Sequence, residues 1–242
     1  MEIRYIVPAA VLLLAALFFF SKKRRYKATS YYRITKNPYR LTMEDKGRFG
    51  EYQIYRRLSF YERDGGKFLF NCYLPGENRE TTEIDVILIH KSGVYVFESK
   101  NYSGRIYGRE SDRTWPQSLK QNISFLNPLR QNQSHVNRVR KVLGCKREIP
   151  VYSLVVFSDR CVLKKVRVES ADRQVTTWKR LRRTVRRFAK RQPDALDETM
   201  AEAYFQQLYP YTRVTRRERK KHIRDIRRRQ RRRKGWIRRF LE

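Results

Sequence analysis

Residues 83–100 carry the densest strand-forming pattern of the chain. Two runs rich in Val, Ile, Tyr and Phe flank Lys91-Ser92-Gly93. The glycine can supply the positive φ of a tight connection, so the pattern predicts two adjacent antiparallel strands. Phe68 to Leu74 predicts a strand before them, with Pro75-Gly76-Glu77-Asn78 as the intervening turn. Ile106-Tyr107-Gly108 suggests a short strand, and Val151 to Phe157, apolar at alternate and intervening positions alike, a covered central one. Val166-Arg167-Val168 and Gln174-Val175-Thr176 read as short edge strands. Helical spacing of Phe49, Ile54, Leu58 and Tyr61 predicts a helix from Gly47 to about Tyr61. A second helical stretch is expected to begin at Trp115-Pro116 and to restart at Asn127-Pro128, with Leu129, Val136, Val139 and Leu143 packed on the sheet. Further helices are expected from about Trp178 to Lys190, and from the N-cap Asp197 to Leu208. These elements predict an α/β fold, with helices around a mixed central sheet in three layers.

Ahead of this core, Tyr5 to Phe20 is apolar and uncharged. As a helix it spans roughly 24 Å, short of the ~30 Å hydrocarbon core unless Arg4 and Lys22 snorkel. A cleaved signal peptide would carry its positive charge before the apolar run. Here Lys22-Lys23-Arg24-Arg25 follow it, so residues 1–21 read as a retained transmembrane anchor. The positive-inside rule then places the N-terminus outside and the remaining chain in the cytoplasm. Residues 22–42 read as a basic juxtamembrane linker with no core of its own, lying on anionic headgroups or serving as a spacer.

Charge changes the picture most. There are 57 Lys and Arg against 24 Asp and Glu, a net charge of +33. Anionic partners follow, and composition alone leaves nucleic acid and anionic membrane lipid both open. The scattered Cys72, Cys145 and Cys161 provide neither a disulfide framework nor a zinc site, and they suit a reducing compartment. The tail, residues 211–242, holds 16 Lys or Arg between Arg213 and Arg239 against Glu218 and Asp225 only. It is expected to be a basic helical segment. Arg216, Arg217, Lys220, Lys221, Arg227, Arg228, Arg231 and Arg232 are candidates for neutralising nucleic-acid phosphates. Trp236, Ile237, Phe240 and Leu241 equally suit an interfacial membrane segment.

The central hairpin also carries chemistry. Glu98 and Lys100 share one strand face, and a turn at Lys91-Ser92 sets Asp85 directly opposite Glu98. Opposed side chains lie roughly 4.5–5.5 Å apart at Cβ, so the two carboxylates repel unless a cation separates them. Mg²⁺, with Mn²⁺ as an alternative, suits such hard oxygen donors. A salt-bridge cluster at strand ends is the plainer reading. Against it, these charges interrupt strands that are otherwise apolar on both faces.

Residues 47–157 resemble the nuclease-related domain (NERD) family of the PD-(D/E)-x-K nuclease superfamily. The resemblance rests on Gly47-Arg48-Phe49-Gly50-Glu51, Glu83-Ile84-Asp85, Phe97-Glu98-Ser99-Lys100-Asn101 with Gly104, Trp115, and Asn127-Pro128-Leu129-Arg130-Gln131 with His135. It implies a restriction-endonuclease-like core over residues 43–210 and hydrolysis of nucleic-acid phosphodiesters, with DNA favoured. Asp85, Glu98 and the Ser99 backbone carbonyl would hold the metal. Lys100 would orient or deprotonate water, Gln131 would place water or phosphate, and Glu51 would add a third carboxylate. The superfamily's proline is replaced by Ile84. A nuclease-like core without catalysis, serving as a membrane-anchored nucleic-acid-binding or scaffold protein, is the alternative. The chain shows no helix-turn-helix or zinc-finger reader, so recognition is expected to rest on backbone charge.

Overall fold

The computed structural model describes residues 3–76, 81–119, 122–145 and 148–215, together with 217, 218 and 224; side chains of residues 3–10, 12 and 15 are excepted. Two short helices, α2 Ser30–Thr35 and α3 Tyr39–Glu44, follow the apolar N-terminal α1 Ile3–Lys27 and precede α4, Lys46–Leu58. Asp45 starts α4 by accepting from the Arg48 N–H at 2.9 Å. Strands β1 Lys67–Pro75, β2 Thr81–His90 and β3 Gly93–Lys100 form an antiparallel meander. His90 pairs with Gly93, which places the turn at Lys91-Ser92 as expected, with Gly93 at φ 125°.

Next come β4 Gly104–Arg109, β5 Thr114–Ser118 and β6 Asn122–Leu126, then α5 Pro128–Leu143. Strands β7 Val151–Phe157, β8 Cys161–Arg167 and β9 Arg173–Thr177 lead into α6 Trp178–Ala189 and α7 Glu198–Leu208. The main sheet has the order β1-β2-β3-β7-β9, with β7 parallel to both β3 and β9. On one face Phe68, Val86, Tyr95, Phe97 and Leu154 pack against Ile54 and Leu58 of α4 and Leu181 and Val185 of α6. On the other, Leu69, Ile87, Val94 and Val96 meet Val136, Val139 and Leu143 of α5 and Ala201 and Leu208 of α7. The mixed three-layer arrangement is therefore present.

Two expectations fail. The stretch beginning at Trp115-Pro116 is not helical. It forms β5 and β6 of a second, four-stranded sheet, β6-β5-β4-β8, that buries Trp115 with Ile106 and Phe157. Pro116 is tolerated there because, in a short strand on a small sheet, its missing N–H costs at most one ladder bond. The second departure concerns residues 22–42, read as a core-free linker. Tyr26 and Tyr31 are 1% and 0% exposed and pack with Tyr52, Tyr55 and Phe70. Counting basic residues hid this, because the burial is done by the tyrosines between them.

Among the described residues no helix is long and apolar enough to cross a membrane. Leu13, Leu14, Leu17, Phe18 and Phe20 of α1 are nonetheless between 56% and 65% exposed. Glu77 and Asn78 of the expected turn and nearly all of the basic tail, including every candidate phosphate contact except Arg217, lie outside the described residues.

Candidate active site

The site opens where the β2–β3 ladder stops. The last pair is Val86 with Phe97, and two residues beyond Phe97 the Ser99 N–H is taken by Asp85 Oδ2 at 2.7 Å rather than by a backbone carbonyl. Continued one residue past its last pair, the same register would set Asp85 opposite Glu98, as the hairpin reading required. Neighbouring strand residues point their backbone groups to opposite sides. Since the Lys100 carbonyl accepts from Ser158 beyond β7, the Ser99 carbonyl faces the Asp85 side.

Side chains alternate in the same way. Glu98 and Lys100 project toward α5, where Lys100 Nζ donates to Glu98 Oε1 at 2.6 Å and to Gln131 Oε1 at 3.0 Å. Ser99 projects toward α4 and meets Gly50. A methyl group at Gly50 would overlap the Ser99 hydroxyl, so the glycine lets helix and strand approach closely. One residue further along α4, Glu51 is buried, and its carboxylate accepts hydrogen bonds from Tyr31 and Asn71. Asn71 lies in β1 at φ 50°, at the point where the β1–β2 pairing skips Asn71 and Asp85.

Helix α5 is fixed by two asparagines. Asn127 caps it by accepting from the Leu129 N–H at 2.9 Å, and its amide donates to the carbonyls of Arg109, Glu110 and Asp112. Asn132, fully buried, donates to the Val96 carbonyl and to Ser153 Oγ, both at 2.9 Å. Gln131 and His135 are thereby held over β3. Asn127→Ala removes the cap and leaves the Glu110 and Asp112 carbonyls without their donor, while the Arg109 carbonyl keeps the Trp115 indole N–H. It should cost about 2–3 kcal/mol, measurable as a lowered urea midpoint with an unchanged m value.

Electrostatically the site is crowded with acid. Burial and then the charges of Glu98 and Glu51 hold Asp85 well above the usual carboxylate range. Burial, only partly offset by the Asn71 hydrogen bond, pushes Glu51 up to about 7. Burial works against the charged form of Lys100, yet the charge and hydrogen bond of Glu98 outweigh it, and its pKa is raised. Lys100 is thus an ammonium near neutral pH. Burial depresses the His135 pKa, so its imidazole is neutral. Its Nδ1 lies 3.4 Å from Glu98 Oε2 without hydrogen-bond geometry, and both buried atoms lack a partner.

Glu98 Oε2 is therefore a buried oxygen with unused lone pairs, and the Asp85 carboxylate, which feels the charge of Glu98, and the Ser99 carbonyl belong to the same strand end. That donor set is all oxygen and suits Mg²⁺, which is commonly held by one or two carboxylates plus water and phosphate. Among the described residues no group of three or more His, Cys, Asp or Glu side chains forms a metal cage. The fit is to a two-carboxylate site completed from outside the protein.

All five residues proposed for catalysis converge here: Asp85, Glu98, Lys100 and Gln131 directly, and Glu51 from behind through burial and charge. The sequence pattern alone assigns no role to Tyr31, Asn71 or Gly50. For Asn71 a signal existed, because asparagine is depleted in strands but tolerates the left-handed region, and it interrupts the apolar run of β1. Beside Lys100 a groove of about 560 Å³ runs past Lys46, Asn101, Tyr102, Phe125 and Arg160.

A family model described as nuclease-related domain (NERD) matches residues 46–158. An uncharacterized protein of Bacillus anthracis, pXO1-01, is 34% identical over 141 residues, which are 58% of this chain and 66% of that protein. The chain thus spans just under two thirds of that relative's length. A crystal structure of AF1548, a protein of unknown function, shares 13% identity at a TM-score of 0.32, covering 67% of this chain and 97% of that one. The match falls on the segment that supplies Glu51, Asp85, Glu98, Lys100 and Gln131, so residues 46–158 are the part of the chain that carries the nuclease-related domain.

Proposed function

We propose that the protein is a metal-dependent nuclease that hydrolyses nucleic-acid phosphodiesters, DNA in preference, and that α1 holds it at a membrane. The observation that carries the catalytic part is the Lys100 ammonium bridging Glu98 and Gln131 beside the unpaired Glu98 Oε2. Asp85, Glu98 and the Ser99 carbonyl would hold Mg²⁺, or Mn²⁺ in its place. When bound, the ion would supply stabilisation of charge developing on the phosphate.

The protein's own groups do the rest. Lys100, kept protonated by Glu98, serves as a fixed cation toward the phosphate oxygens rather than as a base. Gln131 fixes Lys100 from the other side and offers its amide N–H to water or phosphate. Glu51 raises the acid density that makes the site favour a cation. Lys46 and Arg160 flank the groove that would receive the polyanion.

The test is cleavage of plasmid, linear DNA and RNA by the full chain in detergent micelles, with Mg²⁺, Mn²⁺ or EDTA, and binding followed in parallel. Metal-dependent cleavage is expected. Binding without cleavage under every metal would instead establish the non-catalytic scaffold reading. The membrane part rests on the exposed apolar side chains of α1 followed by Lys22, Lys23, Arg24 and Arg25. The expected result is retention of the full chain in membranes after an alkaline wash, and release into the supernatant would overturn it.

A further inference from the structure

A cleft of about 750 Å³ lies at the root of α1, away from the carboxylates and closed by the opposite side of α4. Its cations are Lys22 and Arg25 of α1 and Arg56 and Arg57 of α4; Tyr39, Tyr52, Phe49 and Trp178 complete the walls. One acid lines it, Asp159, and this is already paired with Arg57 at 3.4 Å. Among the described residues Lys22, Arg25 and Arg56 have no carboxylate partner. Trp178 adds an independent sign. It is only 8% exposed, yet its indole N–H finds no acceptor in the protein. A buried donor left without a partner is costly, and here it lies in the wall of a cationic cleft.

The surroundings select the ligand. Immediately before Lys22 come the exposed Leu17, Phe18 and Phe20, and Lys22 Nζ lies 4.1 Å over the Phe18 ring. Phe19 packs edge-on against Tyr39 of the cleft wall, with ring centres 6.0 Å apart. Apolar and cationic surfaces therefore adjoin within one helical turn. A nucleic acid has phosphates for the cleft but nothing apolar to lay along α1. An anionic phospholipid has both.

We propose that this cleft binds the headgroup phosphate of an anionic phospholipid whose acyl chains lie along α1, with Arg25, Arg56 and Lys22 as charge partners and the Trp178 N–H as donor. The proposal rests on the membrane reading of α1 and not on the nuclease reading.

Native mass spectrometry of the full chain released from detergent micelles tests it, with bound lipid counted as added mass during titration with dioctanoyl phosphatidylglycerol or dioctanoyl phosphatidylcholine. The anionic lipid should bind about tenfold more tightly as a single adduct. Arg25→Gln with Arg56→Gln should weaken it roughly 10- to 30-fold, following about 1 kcal/mol per basic residue. Arg25→Lys with Arg56→Lys should restore most of the binding, and Trp178→Phe should cost about fivefold. Arg183→Gln with Arg187→Gln, exposed on α6, should change nothing. Equal binding of the two lipids, or an equal loss in the α6 pair, overturns the proposal. Displacement of the lipid by equimolar inorganic phosphate or by a short single-stranded oligonucleotide overturns it as well, by assigning the cleft to a free anion or to nucleic acid. Because binding is read in micelles, the result is separable from membrane retention, which the alkaline wash measures.

Discussion

Lys100→Met is expected to lower phosphodiester cleavage by roughly 10²–10³-fold, the size of effect seen when one fixed charge-stabilising donor is removed from an active site. Methionine keeps the length and apolar stem of lysine but removes the ammonium that joins Glu98 to Gln131. Asp85→Asn should reach the same order, for a different reason. It weakens the cation site and exchanges a charged acceptor of the Ser99 N–H for a neutral one. Nucleic-acid affinity, read by anisotropy in EDTA, should hold within about twofold, because backbone binding draws on many basic residues and its salt dependence reflects their number. The two variants together separate chemistry from binding. Variants that lose binding in step with cleavage would show that the hairpin charges act in binding or folding and not in the chemical step.

The second large effect is on stability against pH. Glu51 titrates near 4.5 when unfolded and at about 7 in the folded protein. Its folded pKa is raised, so the native state binds more protons than the unfolded state across that window, and stability falls as pH rises through it. Below pH 4.5 the contribution is fully present; above about 7 it is lost. Asp85, raised in the same direction, adds to the slope. In EDTA, Glu51→Gln should therefore flatten the decline and stabilise the protein above neutrality by about 2–3 kcal/mol, roughly 5–10 °C in Tm for a chain of this size. Near pH 4.5 the variant and the wild type should unfold at nearly the same temperature. An equally steep decline in the variant would show that Glu51 is already ionised at no cost, and that the acidic strain of the site lies elsewhere.

Much of this site was legible before any coordinates, for reasons specific to its residues. The Lys91-Ser92 turn fixes the hairpin register, and register alone places Asp85 against Glu98 and sets Lys100 on the face of Glu98. Strand periodicity is a local property, and here it places the three charged side chains of the candidate site. Asn127-Pro128 similarly announces the start of α5, and with it the position of Gln131. What sequence could not deliver depends on long-range contact. Nothing near Trp115 reveals that its partners are Ile106 and Phe157, and those partners make the segment a strand despite Pro116. The reach of Tyr31 to Glu51 crosses 20 residues and two short helices. Asn71 is intermediate, since its oddness within an apolar strand was visible while its hydrogen bond to Glu51 was not. The basic tail is legible only as charge, and its phosphate-contact candidates wait on the binding measurement.

The burial of Tyr26 and Tyr31 decides how the domain meets its surroundings. A flexible leash covering residues 22–40 would let the domain wander roughly 25 Å from its attachment point, sweeping a broad volume for substrate. Here the chain leaving α1 is locked into the aromatic core within a few residues, and Tyr31 then touches the acid behind the cation site. With α1 in a bilayer, the groove beside Lys100 would be carried as on a fixed bracket, at one height and one tilt above the lipid surface. Nucleic acid would have to be brought to that plane. A soluble version trimmed beyond Tyr31 would free the domain from the bracket, but it would also remove a hydrogen-bond donor from Glu51, so such a fragment would report on an altered centre.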